Sequence, residues 1–252
     1  MPRGVAADFQ VRLAQTDADV QAAQRLRYEV FVQELGGSGA MVDHAAGLEQ
    51  DRFDPFFDHL LLTDLRNGKL AGVYRVMRAD MAARAGGFYS EAEYDLTPLV
   101  QSGRKLLELG RSCLDPAYRG GAAMHHLWGA LARYVAEHEI EVLFGVASFH
   151  GTDTATLAEP LSLLHHRHLA PPELRVRARE FAPMDLIAEP DLDRRKAMLA
   201  VPSLIKAYLR LGGCVGEGAY IDRAFNTTDV CLILDTKQMS ARQSRIYGGS
   251  AA

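Results

Sequence analysis

Glu108 and Arg111 stand three residues apart in the stretch KLLELGRSCLDPAYRGGAAMHHLWGAL, residues 105–131, and Arg119-Gly120-Gly121 follows shortly after. A carboxylate at a reaction centre can take a proton, and a nearby guanidinium can fix it or bind an anionic group. An arginine followed by glycines at a helix start suits a phosphate. Upstream, Asp51, Asp54 and Asp58 place three carboxylates within eight residues, a pattern that holds a cationic amino group or else solvates a turn. Arg75 lies among apolar neighbours on a strand pattern, where a buried charge is costly unless it meets a carboxylate of the protein or of a ligand.

These residues need elements to position them. The central stretch reads as strand, loop and helix. Regular alternation puts Leu107, Leu109 and Arg111 on one face and Glu108, Gly110 and Ser112 on the other. A bulge near Gly110 would add one residue to the count and bring Glu108 and Arg111 to the same mouth. Beyond the turn, Met124, Leu127, Leu131 and Val135 recur at helical spacing, so this helix lays an apolar stripe on a sheet and leaves its first turn open. The amides of Gly120, Gly121, Ala122 and Ala123, beside Arg119, then make a site for phosphate or pyrophosphate; the plainer reading is that the glycine pair only turns the chain.

The rest of the pattern is that of an α/β protein. Phe9 to Leu13 alternates as a first strand, and Thr16-Asp17 caps a helix running to about Leu35 with Val20, Ala23, Leu26, Val30 and Phe31 buried. Arg27 sits at the edge of that stripe, as a snorkelling arginine or a functional one. Residues 36–54 show no period, which makes them a long loop. Residues 57–65 and 70–77 flank Asn67-Gly68, a hairpin signal. A short helix over 79–86, an aromatic connector over 88–94, a strand over 141–149, helices over 154–168 and 201–212, and a closing strand over 231–234 complete the chain.

With 252 residues the chain can bury a core as one large domain or two small ones. Lys+Arg 28 against Asp+Glu 32 gives a net charge of -4, which offers no electrostatic argument for nucleic acid. Cys113, Cys214 and Cys231 form no C-x-x-C pair, pointing to a reducing compartment without a disulfide or zinc framework. The beginning, MPRGVAADF, has no apolar signal-like run, and no stretch reaches membrane-spanning length, so a cytosolic location is expected. His165 and His168 share a helix face while His166 points about 100° away, a poor geometry for a metal. Ser148-x-His150 lacks the glycines of a hydrolase elbow, and neither a Walker loop nor a dinucleotide fingerprint is present.

Pro116-x-Tyr118-Arg119-Gly120-Gly121 before a helix resembles the acyl-donor loop of GNAT acyltransferases, where a pantetheine pyrophosphate lies on the helix start. Ala122 stands where the family pattern R-G-x-G-[GA] has its second glycine, which leaves room for a donor with a single phosphodiester. Leu26-Arg27-Tyr28-x-Val30-Phe31, Asp51 with Asp54, Arg75, Phe88 and Glu108-x-x-Arg111 fall in the order seen in acyl-homoserine-lactone synthases, over the first half of the chain. The run LELGRSCLDPAYR together with FNTTD resembles the ornithine N-acyltransferases that make lyso-ornithine lipid, and this likeness spans about Leu13 to Leu234.

The resemblance implies a GNAT-like α/β fold, a mixed central sheet flanked by helices with a C-terminal extension, in one domain over 1–236 with a polar tail over 237–252. It implies transfer of a 3-hydroxyacyl chain from acyl carrier protein to the α-amine of L-ornithine. Alternatives are the same chemistry on glutamine or another amino acid, a homoserine-lactone synthase, and a non-enzymatic carrier-binding module. The donor brings its own 4'-phosphopantetheine, so no cofactor and no metal are expected. Partners are the 3-hydroxyacyl carrier protein and the amino acid, with peripheral contact at the inner membrane face and no nucleic acid. Aminolysis of a thioester needs a neutral amine and oxyanion donors. Glu108 is the candidate base, or else a salt-bridge partner of Arg111; Arg111 orients it or binds the substrate carboxylate. Arg119 and the amides of Gly120 to Ala123 would hold the donor phosphate. Arg27, Asp51, Asp54 and Arg75 would shape the amino-acid pocket, Phe31 and Phe88 would wall the acyl chain, and Arg104, Lys105, Arg119 and Arg133 would face an acidic carrier.

Overall fold

The structure, a computed structural model, describes residues 8–239. Strand β1 (Phe9–Leu13) leads to α1 (Asp17–Arg27), whose start is locked by a capping box: the Thr16 hydroxyl accepts the Asp19 amide and the Asp19 carboxylate accepts the Thr16 amide. Without a break, α1 widens into a π-helical segment, Tyr28–Glu34, which keeps the chain helical to the expected end near Leu35. The stretch that carries no period in sequence contains a two-stranded ribbon, β2 (Val42–Asp43) and β3 (Leu48–Glu49). Strands of two residues are too short to show alternation, which is why a loop was expected there.

β4 (Asp58–Asp64) and β5 (Lys69–Arg78) form the anticipated hairpin, with Gly68 at φ 69° in its turn. Then come α2 (Ala79–Ala85), β6 (Tyr94–Asp95), α3 (Thr97–Val100), β7 (Leu106–Leu114), α4 (Ala123–Glu137) and β8 (Val142–His150). The helix expected from Thr154 begins four residues later as α5 (Ala158–His168), because Asp153 ties the preceding residues into turns through the amides of Ala155 and Thr156. The chain closes with β9 (Arg177–Ala178), α6 (Arg194–Ala200), α7 (Ser203–Arg210), β10 (Cys214–Val215), β11 (Tyr220–Asp222) and β12 (Thr227–Asp235). The closing strand is longer than the four residues expected, and α6 was not anticipated.

The described residues form two compact units, 8–76 with 110–138 and 77–109 with 139–239, the division falling inside β5 and β7. In the first, β4 pairs antiparallel with β1 and with β5, and the outer half of β7 follows β5. Helix α4 packs on β1 and β4, with Leu127 and Leu131 fully buried as their spacing required. Ala23, Leu26 and Val30 meet Leu61, Val73 and Cys113 in the core, with Phe31 at its edge.

In the second unit, Leu106 to Glu108 of β7 run parallel to Val142 to Phe144 of β8, within a mostly antiparallel set. β8 pairs antiparallel with β12 over nine residues, and β10 and β11 pair with β12. Gly145 is required beyond the parallel pairing, since a Cβ there would stand 2.2 Å from the Leu109 carbonyl oxygen. The buried Tyr94 hydroxyl donates to the carbonyls of Gly218 and Asp229 at 3.0 and 2.9 Å, tying the connector to β12. The tail expected to fray from Lys237 starts as a turn, Thr236–Gln238, with Lys237 paired to Glu141; residues 240–252 lie outside the described residues. Among the described residues no helix is long and apolar enough to cross a membrane.

Candidate active site

Six charged side chains of the first unit form one buried array. Arg27 is 1% exposed and places its guanidinium on Asp54, with both contacts at 2.8 Å, on Glu49 at 2.5 Å and on the Glu49 carbonyl. Arg75, also 1% exposed, reaches Asp54 at 2.5 Å and Asp51 at 2.7 Å and lies over the Phe57 ring at 4.2 Å. Arg111 donates from Nε to Glu49 at 3.0 Å and stands 3.9 Å from Asp51. Three guanidinium groups thus face three carboxylates, and the formal charges cancel. α1 supplies Arg27, the ribbon supplies Glu49, the turn after it supplies Asp51 and Asp54, and β5 and β7 supply the remaining arginines.

Asp54 is the hub. Its carboxylate accepts from Gln24, Arg27, Arg75 and the Asp51 amide, which occupies the acceptor capacity of a carboxylate. Burial alone would raise its pKa; the hydrogen bonds and charge of Arg27, then the charge of Arg75, overcome this and hold it well below the usual carboxylate range. Asp51 is held low in the same way, burial opposing and Arg75 prevailing. His59, whose Nε2 lies 3.0 Å from the Asp54 carbonyl, is pushed down by burial and so favours the neutral form. Asp58, grouped with these carboxylates in sequence, instead accepts the Tyr134 hydroxyl at 2.5 Å.

The distortion expected at Gly110 falls one residue later: Arg111 itself has φ 52°, a left-handed backbone that a long side chain adopts only when its surroundings hold it. The contacts to Glu49 and Asp51 supply that hold. Of the three arginines, Arg111 is the least buried, with its side chain 13% exposed against 1% for the other two.

On the same unit, Pro116–Tyr118 makes a tight turn and Gly120 takes φ 74°, leading into α4 with Ala122 at its cap. The amides of residues 120–124 find no acceptor among the described residues, so the first turn of α4 is open as the spacing indicated. The loop is braced through Tyr118, whose hydroxyl donates to Asp64 at 3.1 Å and lies 3.1 Å from the amide nitrogen of the Asn67 side chain. Arg119 is engaged by Glu34 through two contacts, 2.5 and 2.6 Å, and also donates to the Leu114 carbonyl. Cys113, at the end of the core strand, is buried and its thiol is pushed up to about 12 by that burial, which removes it as a nucleophile.

Glu108 belongs to the second unit. It is 1% exposed, and its two oxygens accept the amides of Tyr89 and Ser90 at 2.8 and 2.6 Å, the first residues of the tight helical turn Tyr89–Ala92. Phe88, just before that turn, packs edge-on against Phe144 at 5.0 Å and is 6% exposed. Phe31 lies in the first unit, half-buried against its core. Three of the four basic residues assigned to a carrier-facing rim are matched internally: Arg119 by Glu34, Arg104 by Asp235 at 2.6 Å and Lys105 by Glu139 at 2.5 Å.

Glu49 is the member that the sequence reading missed. It is fully buried and bridges Arg27 and Arg111, yet it sits in a stretch without period and depends on the two-residue strand β3 for its place. Gln24 was missed for a different reason: a glutamine on a helix is ordinarily solvated, and here Asp54 draws it in at 2.9 Å.

Known proteins resemble the chain along most of its length. Residues 26–129 match the family model described as an acetyltransferase (GNAT) domain. The L-ornithine Nα-acyltransferase of Rhodobacter capsulatus is 59% identical, over 95% of this chain and 94% of that protein, and that of Brucella abortus is 42% identical, over 96% and 90%. The fold is shared with a CoA-dependent acyl-homoserine lactone synthase, BjaI, at a TM-score of 0.55 and 11% identity, covering 95% of this chain and 88% of that one. With a GNAT-type acyltransferase fold and near full-length identity to such enzymes, the chain belongs to the L-ornithine Nα-acyltransferase family.

Proposed function

We propose that this protein is an N-acyltransferase that moves a 3-hydroxyacyl chain from an acyl carrier protein thioester to the α-amine of L-ornithine. The observation that carries acyl transfer to ornithine is the 59% identity over 95% of the chain to an L-ornithine Nα-acyltransferase. In the reaction the amine nitrogen attacks the thioester carbonyl, the C–N bond forms, the C–S bond breaks, and the thiol leaves with one proton while the amine loses one. The thioester is already activated, so no acyl-enzyme and no metal are required.

The phosphate of the donor's pantetheine arm would lie on the amides of residues 120–124, with Arg119 released from Glu34 to meet it. That exchange costs little, because the pair is about two-fifths exposed on each side and exposed pairs contribute roughly 0–1 kcal/mol. Asp54 and Asp51 are engaged by Arg27 and Arg75 and by the Gln24 side chain and the amides of Asp51 and Phe53, so their part in the amino-acid site is to hold the arginines in place. Arg111, the most exposed of the three, would bind the ornithine carboxylate. Glu108 would serve as base, its orientation set by the two amides it accepts. The protein would work in the cytoplasm, with transient contact at the inner membrane face.

A mass-spectrometric product assay tests this. Purified protein is mixed with 3-hydroxyacyl carrier protein and with ornithine, glutamine or each other common amino acid in separate reactions. Acyl-ornithine alone is the expected product; acylation of another amino acid in its place overturns the acceptor, and no product overturns the activity.

A further inference from the structure

Residues 194–210, RRKAMLAVPSLIKAYLR, carry five cationic side chains and no acidic one, in a chain whose net charge is -4. The segment folds as α6 and α7 joined by Val201 and Pro202. Ala197, Val201, Ile205 and Tyr208 are buried and fasten it to the second unit, where α6 packs on α5 and α7 on β12.

The other side faces outward. Arg194, Arg195, Lys196 and Leu199 are exposed, with Met198 and Leu204 half-buried beside them. Leu199, at 72%, is the most exposed large apolar side chain among the described residues. Arg195 and Lys196 precede it by four and three positions, so they share its face of the helix. Lys206 joins them from α7, its Nζ donating to the Leu199 carbonyl at 2.9 Å. Part of the charge is answered within the chain, Lys196 by Glu159 at 3.1 Å and Arg194 by Glu189 at 3.6 Å. Among the described residues no carboxylate pairs with Arg195 or Lys206.

A leucine held outward beside Arg195, Lys196 and Lys206 has the chemistry of a bilayer contact. The apolar side chain enters the boundary between headgroups and acyl chains, and the cations meet anionic headgroups. We infer that the α6–α7 face docks the protein on an anionic lipid bilayer. The inference rests on the acyltransferase reading in one respect: a single-chain acyl amino acid is an amphiphile, and an enzyme standing on a bilayer can release it there.

Co-sedimentation with vesicles of phosphatidylcholine, alone or mixed with phosphatidylglycerol, tests the assignment. The protein is expected to partition onto the mixed vesicles and to come off as salt is raised. The double variant Leu199→Glu, Arg195→Glu should lose about 10-fold or more of that partition, from one leucine no longer inserted, one charge reversed and one negative charge added. Its circular dichroism and its rate of ornithine acylation with soluble donor should be unchanged. Absence of binding by the parent protein, or equal binding by the variant, overturns the inference. So does a variant that binds vesicles normally but needs more carrier protein, since the face would then serve an acidic protein. Vesicle binding by a protein that makes no acyl-ornithine would leave this inference standing and remove the activity.

Discussion

The guanidinium of Arg75 and the carboxylate of Asp54 meet at 2.5 Å with both side chains nearly free of solvent, and Arg27 closes on the same carboxylate. Two cations converge on one anion, and the array balances only because Glu49 and Asp51 answer the remaining charge. Removing a member therefore uncovers charge in a place that water does not reach.

Asp54→Asn should destabilise the protein by about 3–5 kcal/mol, the range for breaking a buried pair by deleting one partner. Urea unfolding followed by circular dichroism measures it. A loss below about 1 kcal/mol, the level of an exposed pair, would mean that the array is solvated in solution.

Glu108→Gln replaces one accepting oxygen by an NH₂ group, which would then face the amide of Tyr89 or Ser90. Stability should fall by about 1–3 kcal/mol for the amide left unsatisfied. Turnover should fall by roughly 10²-fold or more if Glu108 takes the proton. Unfolding curves and initial rates on the same preparation separate the two effects; unchanged turnover would remove Glu108 from the reaction.

Arg119→Ala should raise the donor KM by about 10-fold with kcat little altered, the pattern for loss of binding made equally in ground and transition states. Glu34→Gln removes the internal competitor for Arg119 and should lower the donor KM a few-fold, at a stability cost of about 1 kcal/mol or less. Rates against donor concentration decide both, and an Arg119→Ala enzyme with parental donor KM would place the phosphate elsewhere.

Acid should weaken the fold in two stages. Burial lowers the His59 pKa in the folded state, so the unfolded chain takes up its proton first; stability is full above about pH 6.5 and declines as pH falls below that value. The Asp51 and Asp54 carboxyls are also held below their unfolded values, and their contribution is present above about pH 4 and lost as pH falls further. Urea midpoints measured from pH 8 to pH 3 should trace both stages (about the spread of the histidine and aspartate reference values), and His59→Gln should flatten the first. A first stage left intact by that substitution would assign it to another histidine.

Much of the first unit is written locally. The Thr16 cap, the Asn67-Gly68 turn and the stripe of Leu127, Leu131 and Val135 are each set by residues within one or two turns, and short-range rules of capping, turn chemistry and periodicity suffice to find them. The open start of α4 follows for the same reason, since Gly120 and the break before Ala123 lie next to each other in the chain.

The charges of the site are a different matter. Residue type and pattern marked Arg75, because an arginine on an apolar strand must find an anion, while Arg27, Asp51, Asp54 and Arg111 were assigned to the site by the resemblance to acyltransferases. Which anion an arginine finds depends on segments up to 62 residues apart, as between Arg111 and Glu49, and no local pattern encodes that pairing. Glu108 shows the same limit: its spacing from Arg111 suggested a pair, while the fold turns it to the amides of Tyr89 and Ser90, 19 and 18 residues upstream. The sequence by itself determined the family, the order of the longer strands and helices of the first unit, and most of the kinds of group at the site. Only the tertiary structure decided the partners, because a buried charge takes its energy from whatever the packing of distant strands brings within 3 Å, and that distance is set by the whole fold.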